Sequence, residues 1–118
     1  MTKYAILVLS LLSVSVGVPA QDSYQDRKEA LQAAKHIYEM AEDDKTAEDA
    51  EVAQATFDYG FALLRAMDAK ESRKLLKLAL KRYRNVYGKD SPRQISTLLY
   101  LAQSEFMLRR SRPSQRYL

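Results

Sequence analysis

Four cations recur at helical spacing in the second half of this chain. Arg73, Lys77, Lys81 and Arg84 stand at i, i+4, i+8 and i+11, which places them on one face of a helix. Lys74 and Arg82 lie beside them, and Arg109, Arg110, Arg112 and Arg116 follow near the end. Such a row offers its charge to an anionic partner: lipid headgroups, acidic envelope polymers, or the acidic part of a second copy. A solvated outer helix face explains the same row without any partner. The net charge of +4 hides a strong polarity. From Gln21 to Gly60 there are 11 acids against 4 bases, a balance of −7. From Phe61 to Leu118 there are 4 acids against 14 bases, a balance of +10.

The inventory leaves little room for catalysis. His36 is the only histidine, so no imidazole pair can hold a metal and no Cys–His dyad can form. Beside Ile37, it reads as a partly exposed surface residue. No cysteine occurs, which removes disulfides, thiolate metal sites and the lipid-modified cysteine of a bacterial lipoprotein. Glu42, Asp43 and Asp44 form a carboxylate cluster, but Lys45 follows directly and the spaced ligands and glycine of a calcium loop are missing. The sequence holds no glycine-rich phosphate loop and no serine-centred elbow. The expected role is non-enzymatic, with no catalytic residue, cofactor or metal.

These residues need elements to hold them. The chain has 118 residues, 47% hydrophobic and 29% charged, values of one small globular domain. Three glycines and three prolines among many Leu, Ala, Lys, Arg, Glu and Gln favour an all-α fold. The first twenty residues stand apart. Lys3 precedes an uncharged apolar run from Tyr4 to Val18, and Val18-Pro19-Ala20 leads into polar Gln21. This reads as a secretory signal peptide over 1–20, cleaved after Ala20, with an uncleaved anchor as the alternative. An exported chain without cysteine suits a bacterial periplasm better than an extracellular space of disulfide-stapled domains. Residues 21–108 then make the helical domain, and 109–118 a basic flexible tail.

Periodicity predicts four helices after the signal. The first covers about 26–42, with Ala30, Ala34, Ile37 and Ala41 as its stripe and Leu31 and Tyr38 at its flank. The second covers about 47–67, entered through a capping-box variant at Thr46 and Asp49. Its stripe is Ala53, Phe57, Gly60, Leu64 and Met67. A turn at 68–70 leads to the third, about 71–87, with Ser72, Leu76, Ala79, Tyr83 and Val86 inward and Gly88 as its stop. Ser91 caps the fourth, and Pro92 takes its first position, where a missing N–H is harmless. Ile95, Leu99, Ala102 and Phe106 form the last stripe, widened by Leu98, Leu101 and Leu108.

The pattern repeats. A shift of 45 puts Leu31, Ala34 and Tyr38 on Leu76, Ala79 and Tyr83, and a shift of 42 puts Phe57 and Gly60 on Leu99 and Ala102. In this form the chain resembles the tetratricopeptide repeat family. Tyr59, Gly60, Leu63, Ser72, Leu76 and Ala79 match its alternation of large and small residues. The long third helix followed by YGKDSPRQISTLLYLA is similar to the roughly 42-residue variety of kinesin light chains. The resemblance covers about 27–108 and departs from the pattern at Thr56 and Glu105. It implies antiparallel helical hairpins stacked as a short solenoid, against the alternative of a four-helix up-down bundle. It also implies a concave groove lined by the first helix of each hairpin: Gln54, Asp58, Phe61 and Arg65, then Ser96, Tyr100, Gln103 and Met107. Phe61 could instead pack on the first helix; Tyr100 and Gln103, off the main stripe, are the clearer choices.

Two functional expectations follow. One is an exported repeat scaffold that binds a protein or peptide in the cell envelope. Because the set begins with a second-type helix and ends with a first-type helix, both ends should expose an apolar side. Self-association, docking of a partner, or further repeats beyond residue 118 would cover it. The other is a basic helical protein that adheres to anionic membrane or glycan surfaces. Nucleic acid is not an expected partner, since export keeps the chain away from it.

Overall fold

The computed structural model describes residues 23–110. The expected signal peptide and all but the first two residues of the expected basic tail lie outside them. Among the described residues there are four helices: α1 (Tyr24–Asp43), α2 (Asp49–Arg65), α3 (Ala69–Tyr87) and α4 (Pro92–Arg110). Each packs on the next in the chain, and α2 touches α4 along one edge. The helices stack in sequence order instead of surrounding one shared core, so the arrangement is an all-α helical repeat.

Local chemistry sets most boundaries. Ser23 and Asp26 form a reciprocal capping box that starts α1 two residues before the periodic pattern does. Asp68 caps α3 by accepting from the Glu71 N–H at 3.3 Å. The Ser91 hydroxyl accepts from the Arg93 N–H at 3.2 Å, ahead of α4. Gly88 ends α3 with φ +83° and ψ 170°, a region that only glycine occupies readily. Two expectations fail here. Thr46 is not a helix cap: its hydroxyl and N–H both bind Asp44 Oδ1, at 2.6 and 2.9 Å, in a local turn. The residue preceding α2 is Glu48, whose side chain makes no cap. Met67, expected at the end of the α2 stripe, lies past the helix at φ +68° and is largely exposed.

The centre of the stack is the α2–α3 pair. Gly60 is buried against Leu76, and a Cβ placed on it would come within 3.0 Å of that side chain and 3.3 Å of Leu75 Cβ. The Ser72 hydroxyl donates to the Gly60 carbonyl at 2.7 Å, filling the remaining polar valence of this close contact. Leu76, Ala79 and Tyr83 are almost completely buried. Thr56, one of the departures from the family pattern, donates to the Val52 carbonyl at 2.6 Å and accepts from Arg82 Nη1 at 2.6 Å. Arg82 also pairs with Glu42. One guanidinium therefore ties α1, α2 and α3 together.

The two ends differ. In α1, Ile37 and Ala41 are buried with Ala55 of α2, while Leu31, Ala34 and Tyr38 are only half-buried and Ala30 is exposed. The outer side of α1 carries Gln25, Lys28, Gln32, Lys35, His36 and Glu39, so the expected apolar end is reduced there to Tyr24, 73% exposed in the first turn. In α4 the expected stripe faces away from the stack. Ile95 is 69% exposed, Leu99 65% and Phe106 59%, while the buried positions are Thr97 and Ser104. Their hydroxyls are satisfied within the helix, by the Arg93 and Leu101 carbonyls at 2.7 Å each. The repeat explains the inversion. A shift of 42 carries Ala53, Phe57, Gly60 and Leu64 onto Ile95, Leu99, Ala102 and Phe106. In α2 that face meets α3; after α4 no described helix occupies the corresponding place.

Candidate functional site

The side chains that could hold a ligand gather where α2 and α4 run alongside each other. Phe57 and Phe61, one turn apart on α2, have parallel rings with centroids 6.4 Å apart. Tyr100 of α4 closes on both, at 5.9 Å from Phe57 and 4.8 Å from Phe61. Tyr83 of α3 reaches the same group from below, 5.9 Å from Phe57. Tilted rings at these distances are favourable beyond simple burial. They fix the spacing of α2 and α4, and with it the width of the opening above them.

That opening is a cleft of about 330 Å³ lined by Arg27, Phe61, Leu64, Arg65, Met67, Tyr100, Gln103 and Met107. Its floor is aromatic and aliphatic, and arginines from α1 and α2 stand in its wall. Arg65 lies over the Phe61 ring at 5.8 Å. Of the expected groove residues, Phe61, Arg65, Tyr100, Gln103 and Met107 come together here. Phe61 packs on Tyr100 across the groove. Ser96 is exposed on α4 outside the cleft wall.

Gln54 and Asp58 sit in an adjoining relay. Tyr83 donates its hydroxyl to Gln54 Oε1 at 3.1 Å, and Gln54 Nε2 donates to Asp58 Oδ1 at 2.9 Å. Asp58 Oδ2 is buried without a hydrogen-bond partner. Burial pushes the Asp58 pKa up to about 6, against the lowering effect of the Gln54 bond. Burial, then the nearby Asp58 charge, pushes the Tyr83 hydroxyl up as well. These groups join the cleft floor through the contact of Tyr83 with Phe57.

Arg27, Leu64 and Met67 were missed as cleft residues. Leu64 and Met67 belong to the apolar stripe of α2 by spacing. Arg27 comes from the first turn of α1, some 73 residues before Tyr100, and no local pattern signals that meeting. In the basic row, Lys77, Lys81 and Arg84 are exposed, whereas Arg73 pairs with Glu105 of α4 at 3.4 Å. Glu105, the second departure from the family pattern, is thereby accounted for. Among the described residues no group of His, Cys, Asp or Glu is placed to hold a metal ion, and no helix is long and apolar enough to cross a membrane.

A family model described as Tetratricopeptide repeat matches residues 51–118, a span that takes in nearly all of α2 together with α3 and α4. No curated protein and no solved structure matches the chain.

Proposed function

We propose, from the premise that this chain belongs to the tetratricopeptide repeat family, that it is an exported, non-enzymatic scaffold holding a peptide or protein segment in the α2–α4 cleft. Repeats of this family are protein-interaction modules. The observation that carries the reading is the cleft itself: an aromatic and methionine floor from Phe61, Tyr100 and Met107, with Arg27 and Gln103 at its edge. Such a surface binds by burying apolar side chains and fixing their orientation with a few polar groups. Export to a bacterial envelope is supported by Lys3, the apolar run from Tyr4 to Val18, the Val18-Pro19-Ala20 site and the absence of cysteine. The 42-residue correspondence between α2 and α4 supports the kinesin-light-chain-like variety of repeat.

The test is recovery of bound protein from an envelope fraction by the wild type and by Tyr100→Ala/Gln103→Ala. Capture through the cleft survives about 0.5 M salt, at which exposed charges are screened, and is lost in the double variant. Equal recovery by both proteins rejects the cleft as the binding site. Mass measurement of the product made in a bacterial host checks export: a chain beginning at Gln21 is expected, and one retaining Met1 rejects processing.

A further inference from the structure

The outer face of α4 is an exposed surface that the cleft does not use. Ile95, Leu98, Leu99 and Phe106 stand on it, each between 42% and 69% exposed, all on the side of the helix opposite buried Thr97 and Ser104. Apolar side chains clustered in this way on a folded surface mark a contact with something else. The charges around it are mostly of one sign. Glu105 is held by Arg73 of α3, so the edge of α4 continues directly into the exposed row of Lys77, Lys81 and Arg84. Arg110 lies over the Phe106 ring at one end of the strip, 5.9 Å from its centroid. Exposed Lys89 and Arg93 precede it at the other end, Arg93 over the half-exposed ring of Tyr87 at 4.4 Å.

Two occupants of this face can be weighed by chemistry. A second copy offers either its own α4 or its acidic half. Pairing two α4 faces brings together two halves that each carry a balance of +10, and the outer side of α1 offers a single large apolar side chain, Tyr24, against the four of α4. An anionic bilayer satisfies both features at once: its headgroups meet the cations, and its acyl boundary takes the apolar side chains. We propose that the α4 face, with the flanking basic edge of α3, docks the protein onto the surface of anionic membranes. Ile95, Leu98, Leu99 and Phe106 enter the headgroup–acyl boundary, and Lys77, Arg84, Lys89 and Arg110 lie against the headgroups. This surface is separate from the cleft, so membrane docking and segment binding can occur together.

Flotation of the full chain, as recovered from the producing cell, with phosphatidylcholine vesicles containing about one third phosphatidylglycerol tests the assignment. The wild type floats with these vesicles and at least about tenfold less with pure phosphatidylcholine. Ile95→Ser/Leu99→Ser and, separately, Lys77→Glu/Arg84→Glu each lower binding about tenfold or more, with unchanged circular dichroism because all four side chains are exposed. Gln103→Ala, a change at an exposed position on the cleft edge, floats like the wild type, which keeps this result apart from the fate of the cleft. Equal binding to both vesicle types overturns the proposal, as does undiminished binding of either double variant. A dimer in sedimentation equilibrium at about 100 μM that Ile95→Ser/Leu99→Ser dissociates also overturns it, assigning the face to a second copy.

Discussion

Gly60 has no room for a side chain, whereas Gly88 has the room but not the backbone for one. At Gly60 the obstacle is Leu76, itself fully buried and unable to turn away. Gly60→Val is expected to lower stability by about 1–3 kcal/mol through overpacking. At Gly88 nothing lies within 4 Å of a built Cβ, yet φ is +83°, and Gly88→Ala is expected to cost about 1–3 kcal/mol through backbone strain alone. Urea denaturation of both variants checks the pair; a neutral Gly60→Val would mean that α2 and α3 lie farther apart than described. Asp58 makes a different demand. Its carboxyl is raised from 3.8 to about 6 in the folded protein, so the native state binds more protons than the unfolded chain between those values. This group therefore adds stability as pH falls through 6, and its contribution is complete below 3.8. Asp58→Asn cannot titrate, and its stability relative to the wild type should fall by about 2 kcal/mol between pH 7.5 and 4. A constant difference across that range would show a solvated carboxylate.

At the scale of the element, capping chemistry and periodicity together made the helices legible. Ser91-Pro92 and Gly88 announce their boundaries because each residue type solves a specific terminal problem. Thr46 misleads because a hydroxyl near a helix start can equally bind an upstream aspartate, here Asp44. The true start at Glu48 is left without a side-chain cap. Glu48→Ser is accordingly expected to raise stability by about 0.5–1 kcal/mol, seen as a higher melting temperature; no gain would place the start of α2 elsewhere. The orientation of α4 was not legible for another reason. Spacing shows which residues share a face, but not which face has a neighbour. Ile95, Leu99 and Phe106 form the stronger stripe, and yet small, self-satisfied Thr97 and Ser104 are what let α4 approach α3.

Across the whole molecule, α2 and α3 have packed neighbours on two sides, while α1 and α4 each have a principal neighbour on one. Stacked repeats of this kind open from their ends. Amide hydrogen exchange should be slowest at Leu63, Leu64, Leu76 and Ala79, and faster at Leu98 and Leu99 by an opening free energy of about 1–2 kcal/mol. Uniform protection would mean that the stack unfolds in one step. The cleft was only partly readable at this scale. Phe61, Tyr100, Gln103 and Met107 followed from likeness between repeats, whereas Arg27 enters through the superhelical path of the chain, which no short-range pattern encodes. Its position has a mechanical consequence. The cleft wall takes residues from α1, α2 and α4, so a bound segment spans the stack from its first described helix to its last. Apart from the α2–α4 rings and the Arg82–Glu42 pair, the stack is held by contacts between neighbouring helices, as a leaf spring is by friction between its leaves. A ligand there would act as a cross-brace: by linking the first described helix to the last it would stiffen the whole stack, including helix faces it never touches.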